Sequence, residues 1–210
     1  MSAPRVAFVN LGCRVNRVEV DLIAQELARA GCVIVKPEEA DAVVVNTCAV
    51  TAEAEAKTRK VVRRAASLGQ VPVVVATGCV ASLFSDELAS IAPNVTVEAD
   101  KSRVSETVLG ELGLPAGSVG DDGELVATPT PTGRVRPGIK VQDGCDNRCT
   151  YCIVWKARGA GRSMGSGEVV SAVRDALSRG AREVVLTGIN LGSFRGTCAG
   201  GGRIALPGLL

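Results

Sequence analysis

Histidine is absent from all 210 residues. No imidazole is therefore available as a metal ligand or for acid–base work near neutral pH. Aromatic residues make up only 2% of the chain, which argues against the stacked-ring platforms that grip single-stranded nucleic acid. No apolar run reaches membrane-spanning length, and Met1-Ser2-Ala3-Pro4-Arg5 lacks the charged-then-apolar pattern of a secretory leader. A cytoplasmic location with no membrane partner is expected. A dominant charge is lacking too, because 24 Lys and Arg oppose 22 Asp and Glu for a net +2. That balance excludes a wholesale polybasic binder but permits local basic surfaces. Hydrophobic residues at 46% over this length suit a globular chain with one large or two small domains.

Eight cysteines are present. In a reducing compartment, clustered thiols bind metal more often than they form disulfides. The run Gly144-Cys145-Asp146-Asn147-Arg148-Cys149-Thr150-Tyr151-Cys152 has the spacing C-x-x-x-C-x-x-C and follows a short apolar strand. Three thiolates so placed can hold three irons of a 4Fe–4S cluster. The fourth iron is then left without a protein ligand, as an open position is kept in catalytic metal sites.

The first half alternates β-branched runs with helical segments, the pattern of a parallel sheet covered by helices. Strands are expected at Arg5 to Val9, Val33 to Val35, Ala42 to Val45, Val71 to Ala76 and Val95 to Val97. Helices are expected at Val18 to Ala30, after a Thr51 cap, and around Ser85 to Ile91. Residues 114–137, rich in Pro, Gly, Ser, Thr and Asp, read as a linker, with a short extended pair around Glu124 to Ala127. A second unit then runs strand Gly138 to Val141, cysteine loop, helix Glu168 to Arg179, strand Glu183 to Leu186 and loop Thr187 to Gly192, before a Gly-rich tail. One strand–helix–strand turn cannot close a barrel, so this second domain, 138–210, is expected to be truncated.

Cys13, Cys48 and Cys79 each follow the carboxyl end of an expected strand. In an open parallel sheet those ends share the ligand-binding edge. Three thiols there can converge on a second cluster; the alternative is that they are small core residues. Cys32 suits packing, and Cys198 has no evident partner.

Asn10-Leu11-Gly12-Cys13-Arg14-Val15-Asn16, Val45-Asn46-Thr47-Cys48-Ala49-Val50-Thr51, Thr77-Gly78-Cys79 and Val141-Gln142-Asp143-Gly144-Cys145-Asp146-Asn147-Arg148-Cys149 together resemble the radical-SAM methylthiotransferase family. The resemblance implies an α/β fold. A Rossmann-like parallel-sheet domain at 1–113 would be followed, after the linker, by a partial TIM-type radical-SAM barrel. It implies two 4Fe–4S clusters, one held by Cys145, Cys149 and Cys152 and an auxiliary one held by Cys13, Cys48 and Cys79. It also implies S-adenosylmethionine as cofactor, cleaved by one electron to a 5′-deoxyadenosyl radical, and an electron donor such as flavodoxin or ferredoxin. Tyr151 would lie near the adenine of that cofactor, or simply pack in its loop. Gly188 and Asn190 would contact its methionine moiety, although Gly-Ile-Asn is also an unremarkable turn.

The first motif is most similar to the branch that acts on threonylcarbamoyladenosine beside the tRNA anticodon. Insertion of a methylthio group at C2 of that base, at position 37, is the activity implied. Isopentenyladenosine of tRNA and an aspartate of a ribosomal protein are the alternatives. With much of the barrel and an RNA-binding domain missing, the polypeptide alone is expected to be inactive. Two basic groups are candidates for tRNA phosphates. One is the helix face Lys57, Arg59, Lys60, Arg63 and Arg64, for which a solvated face is the commoner explanation. The other, nearer the chemistry, is Arg134, Arg136, Lys140, Lys156, Arg158 and Arg162. Trp155 stands where the family usually has proline; it is bulkier and frees the preceding backbone, so the family's exact loop shape does not carry over.

Two other classes remain. A redox module without catalysis would normally complete all four ligands of each cluster. A structural zinc protein needs four ligands per closed site, which neither trio supplies unless Cys32 or Cys198 joins.

Overall fold

A computed structural model describes residues 3–49, 51–69, 72–115, 135–198 and 200–210. The chain divides into two compact units, Met1–Asp122 and Gly123–Leu210. The division falls within the expected linker, most of which, with Glu124 to Ala127 and Arg134, lies outside the described residues.

The first unit carries five parallel strands: β1 (Arg5–Asn10), β2 (Val33–Ile34), β3 (Ala42–Thr47), β4 (Val73–Gly78) and β5 (Val95–Val97). Their order is β2-β1-β3-β4-β5. This is a doubly wound order in which the chain reverses direction between β1 and β3, the place where such sheets bind ligands. All six residues of β3 are buried, as a strand covered on both faces requires. One face packs Val6, Ala42, Val44 and Val75 against Ile23 and Leu27 of α1 (Arg14–Arg29). The same cluster takes Val104, Val108 and Leu109 from a later helix, residues 104–111. The other helices are α2 (Ala52–Ala66), α3 (Cys79–Leu83) and α4 (Ser85–Ala89), so the 104–111 helix is α5. Thr51 caps α2 as expected, its hydroxyl accepting from Ala54 N at 3.1 Å.

Two expectations need correction here. Helix α1 begins at Arg14, four residues earlier than expected, because the polar Asn16 and Glu19 are buried with partners instead of facing water. Helix α5 was not expected, although Val104 and Val108 stand one turn apart on its buried face.

The second unit has a sheet ordered β7-β6-β8. Strands β6 (Gly138–Asp143) and β8 (Val185–Gly188) are parallel and joined through α7 (Ser166–Ser178). β7 (Arg162–Ser163) pairs antiparallel with β6 and follows α6 (Val154–Arg158). Ile139, Val141, Val169 and Phe194 form the core. The Gly-rich tail contains an antiparallel pair, β9 (Arg195–Thr197) with β10 (Arg203–Ala205), and then α8 (Leu206–Leu209). The bend between β9 and β10 closes through Cys198 N–H to Gly202 O at 2.8 Å, an arrangement that glycine content alone had masked.

Candidate metal centres

The strand ends of the first unit bring three thiols to one edge. Asn10, Asn46 and Thr77 lie in one register row across β1, β3 and β4. Cys13, Cys48 and Cys79 follow that row by two or three residues. Cys13 and Cys48 flank the β1/β3 reversal, and Cys79 opens α3 at the end of β4, the strand next to β3. Cys13 is exposed, whereas Cys48 and Cys79 are buried.

Beneath them lies a buried polar network. Asn16 Nδ2 donates to Asn46 Oδ1 at 3.2 Å and to the Thr47 carbonyl at 2.8 Å. Asn46 Nδ2 donates back to the Asn16 carbonyl at 2.8 Å. Thr47 Oγ1 donates to the Thr77 carbonyl at 2.7 Å and accepts from Val80 N at 3.1 Å. The Cys13 thiol donates to Asn16 Oδ1 at 3.4 Å, so the network reaches a candidate ligand directly. Gly78 has φ +96, and a Cβ there would lie 2.5 Å from Asn46 Oδ1 and from the Thr47 carbonyl. Only glycine supplies both the left-handed turn and the close approach. The Thr77 hydroxyl is buried without a hydrogen-bond partner at this edge. Sequence reading missed this network, because Asn16, Asn46 and Thr47 meet only once β1 and β3 pair.

In the second unit the cysteine loop leaves β6 at Asp143. Gly144 turns it at φ +68, where a Cβ would collide with the Ala160 carbonyl. Cys145 N–H donates to Gly159 O and Cys152 N–H to Cys149 O, both at 3.1 Å. All three thiols are half-buried. Asp143 accepts ion pairs from Lys140 and Arg158, each at 2.9 Å. Burial pushes the Asp143 carboxyl up, but Lys140 and Arg158 outweigh it and hold the pKa at about 2. Gln142 Nε2 donates to the Asp143 and Gly144 carbonyls of the same turn.

Tyr151 is 91% exposed, so loop packing does not account for its ring. Gly188 ends β8 and Asn190 lies two residues beyond it. Cys32 packs in the first unit's core, where burial raises its thiol pKa. The second basic group divides: Lys140 and Arg158 are counter-ions of Asp143, Arg136 pairs at the surface with Glu183 at 3.3 Å, and Lys156 and Arg162 are exposed. Arg158, with a side chain only 4% exposed, is a structural cation and no phosphate contact. On α2, Arg59 pairs with Glu87, whereas Lys57, Lys60, Arg63 and Arg64 are exposed. Trp155 lies in α6, and its ring is faced by Arg148 at 5.6 Å and Lys156 at 5.3 Å.

Among the described residues no three His, Cys, Asp or Glu side chains stand close enough to hold one metal ion. A cubane presents separate irons to separate thiolates, so its ligands need not crowd round one atom. Soft thiolate trios suit iron–sulfur chemistry. The unpartnered Thr77 hydroxyl and the glycine-tight turns before Cys79 and Cys145 also fit edges that face a bound group.

Sequence comparison defines the class. Residues 5–99 match the model described as "Uncharacterized protein family UPF0004", and residues 139–191 match the radical SAM superfamily. A ribosomal protein uS12 methylthiotransferase RimO from Desulforudis audaxviator is 36% identical over 88% of this chain and 43% of its own length. A threonylcarbamoyladenosine tRNA methylthiotransferase MtaB from Bacillus subtilis is also 36% identical, over 90% of this chain and 44% of its own. A tRNA-2-methylthio-N(6)-dimethylallyladenosine synthase from Sphingopyxis alaskensis is 32% identical over 96% and 48%. The chain belongs to the radical-SAM methylthiotransferase family and spans just under half the length of these relatives. No helix among the described residues is long and apolar enough to cross a membrane.

Proposed function

We propose that this chain contributes the cluster-binding half of a tRNA methylthiotransferase acting at C2 of N6-threonylcarbamoyladenosine, position 37. The placement of Cys13, Cys48 and Cys79 at the ends of three adjacent parallel strands carries this reading. Residues 1–113 form the methylthiotransferase domain, 114–137 the linker and 138–210 the radical-SAM part. Cys145, Cys149 and Cys152 hold one 4Fe–4S cluster; Cys13, Cys48 and Cys79 hold an auxiliary one. When bound, the clusters supply an electron to S-adenosylmethionine and the sulfur to be inserted. Gly188 and Asn190 would contact the methionine end of the cofactor, and the exposed Tyr151 ring would lie near its adenine. An external donor such as flavodoxin or ferredoxin provides the electron.

The branch rests on Gly12-Cys13-Arg14-Val15-Asn16. Equal identity to the uS12 enzyme supports a second reading, modification of a ribosomal protein. Anaerobic reaction of the whole enzyme to which this half is assigned, with threonylcarbamoylated tRNA, isopentenylated tRNA and ribosomal protein side by side, read by mass spectrometry, separates them. A methylthio product on the first substrate supports the proposal; product on another substrate alone refutes it.

A further inference from the structure

Gln142 is 2% exposed, and its side chain uses its amide on two loops at once. Its Nε2 donates to the carbonyls of Asp143 at 2.9 Å and Gly144 at 2.8 Å, the last residues before Cys145. Its Oε1 accepts from the backbone N–H of Asn190 at 2.7 Å, across 48 residues of sequence. The backbone is shaped to permit this. The β6–β8 register shifts between Lys140 and Gln142, which brings Gln142 opposite Gly188. A Cβ on Gly188 would lie 2.9 Å from Gln142 Cβ and 3.0 Å from its carbonyl. Gly188 therefore gives Gln142 room to cross from one strand end to the next.

We propose that Gln142 is a positioning residue that fixes the spacing between the cysteine loop and the Gly188–Asn190 turn. It thereby presets how far the open iron stands from the groups that bind the methionine end of S-adenosylmethionine. This inference rests on the cofactor reading above. The physical reason is preorganisation. A buried amide with two donations and one acceptance holds both backbones in one arrangement, so that binding does not have to order them. An aliphatic side chain of similar length keeps the volume but leaves two carbonyls and one N–H without that partner. A carboxylate keeps the acceptor for Asn190 N–H and loses the donor to the loop.

The test compares the reconstituted wild-type chain with Gln142→Met and Gln142→Glu. Amide hydrogen exchange at Asn190 is read first, with no metal needed: Gln142→Met exchanges faster there by ~10-fold or more, while Gln142→Glu stays close to wild type. The second readout is the reduced cluster's paramagnetic resonance with and without S-adenosylmethionine. Gln142→Met is expected to keep its iron content but bind the cofactor about 10-fold more weakly, a change of ~1.4 kcal/mol. Wild-type exchange and wild-type cofactor affinity in Gln142→Met would overturn the positioning role. Equal loss of iron in both variants, with unfolding, would overturn it in favour of a purely structural one. A wild-type chain whose spectrum ignores S-adenosylmethionine would instead sink the cofactor reading, and the positioning claim with it.

Discussion

Asn16 and Asn46 hydrogen-bond each other twice across the gap where β1 and β3 part, at 3.2 Å and 2.8 Å, both side chains fully buried. The pair ties the first turn of α1, and with it Cys13, to the strand that delivers Cys48. Replacing Asn46 with Ala removes the side-chain donor to the Asn16 carbonyl and one acceptor of Asn16 Nδ2. The expected cost is about 2 kcal/mol in chemical denaturation. Iron bound by the first unit should fall more than iron bound by the second.

Gly78 and Gly110 make a matched pair of tests. Gly78→Ala meets Asn46 and Thr47 at positive φ and should destabilise by at least ~2 kcal/mol. Gly110, inside α5 with nothing within 4 Å of an added Cβ, should become more stable by about 0.5–1 kcal/mol as Ala. Thermal denaturation of both variants checks the contrast. Equal effects would mean the Asn46–Thr47 approach is looser than described.

The doubly wound first half was legible because β-branched runs and helix caps repeat along it, and because strand ends could be aligned from those runs alone. Cys13, Cys48 and Cys79 were found that way. The Asn16–Asn46–Thr47 network was not, since each residue looks like an ordinary polar turn residue until β1 and β3 become neighbours. Charge told the same story in reverse. Lys140 and Arg158 looked like phosphate ligands, and only the turn at Gly144 shows Asp143 between them. Gln142 carried no local signal, because its partner Asn190 lies on another strand's end.

Arg158 and Asp143 offer a direct test of that ion pair. Asp143→Leu leaves a guanidinium buried without its main counter-charge and should cost roughly 3 kcal/mol. Adding Arg158→Leu should recover much of the loss, as a double-mutant cycle by urea denaturation would show. Simple additivity would contradict the pairing.

Glu26 gives the pH dependence. Burial raises its carboxyl pKa, opposed by the Ser105 hydroxyl that donates to it and by nearby Arg29. A carboxyl raised on folding contributes stability that is fully present below the ordinary Glu value and is lost as pH rises through the raised value. The wild-type chain should therefore lose stability relative to Glu26→Gln as pH climbs from about 4 toward 7. Denaturation midpoints measured across that range, flat in their difference, would refute the assignment.

Iron and acid-labile sulfide per chain, after anaerobic reconstitution, measure the central claim most directly. The account predicts about eight irons in the wild-type chain. It predicts about four in each triple Cys→Ser variant, Cys13/Cys48/Cys79 or Cys145/Cys149/Cys152. Unchanged iron after loss of Cys13, Cys48 and Cys79 would contradict it.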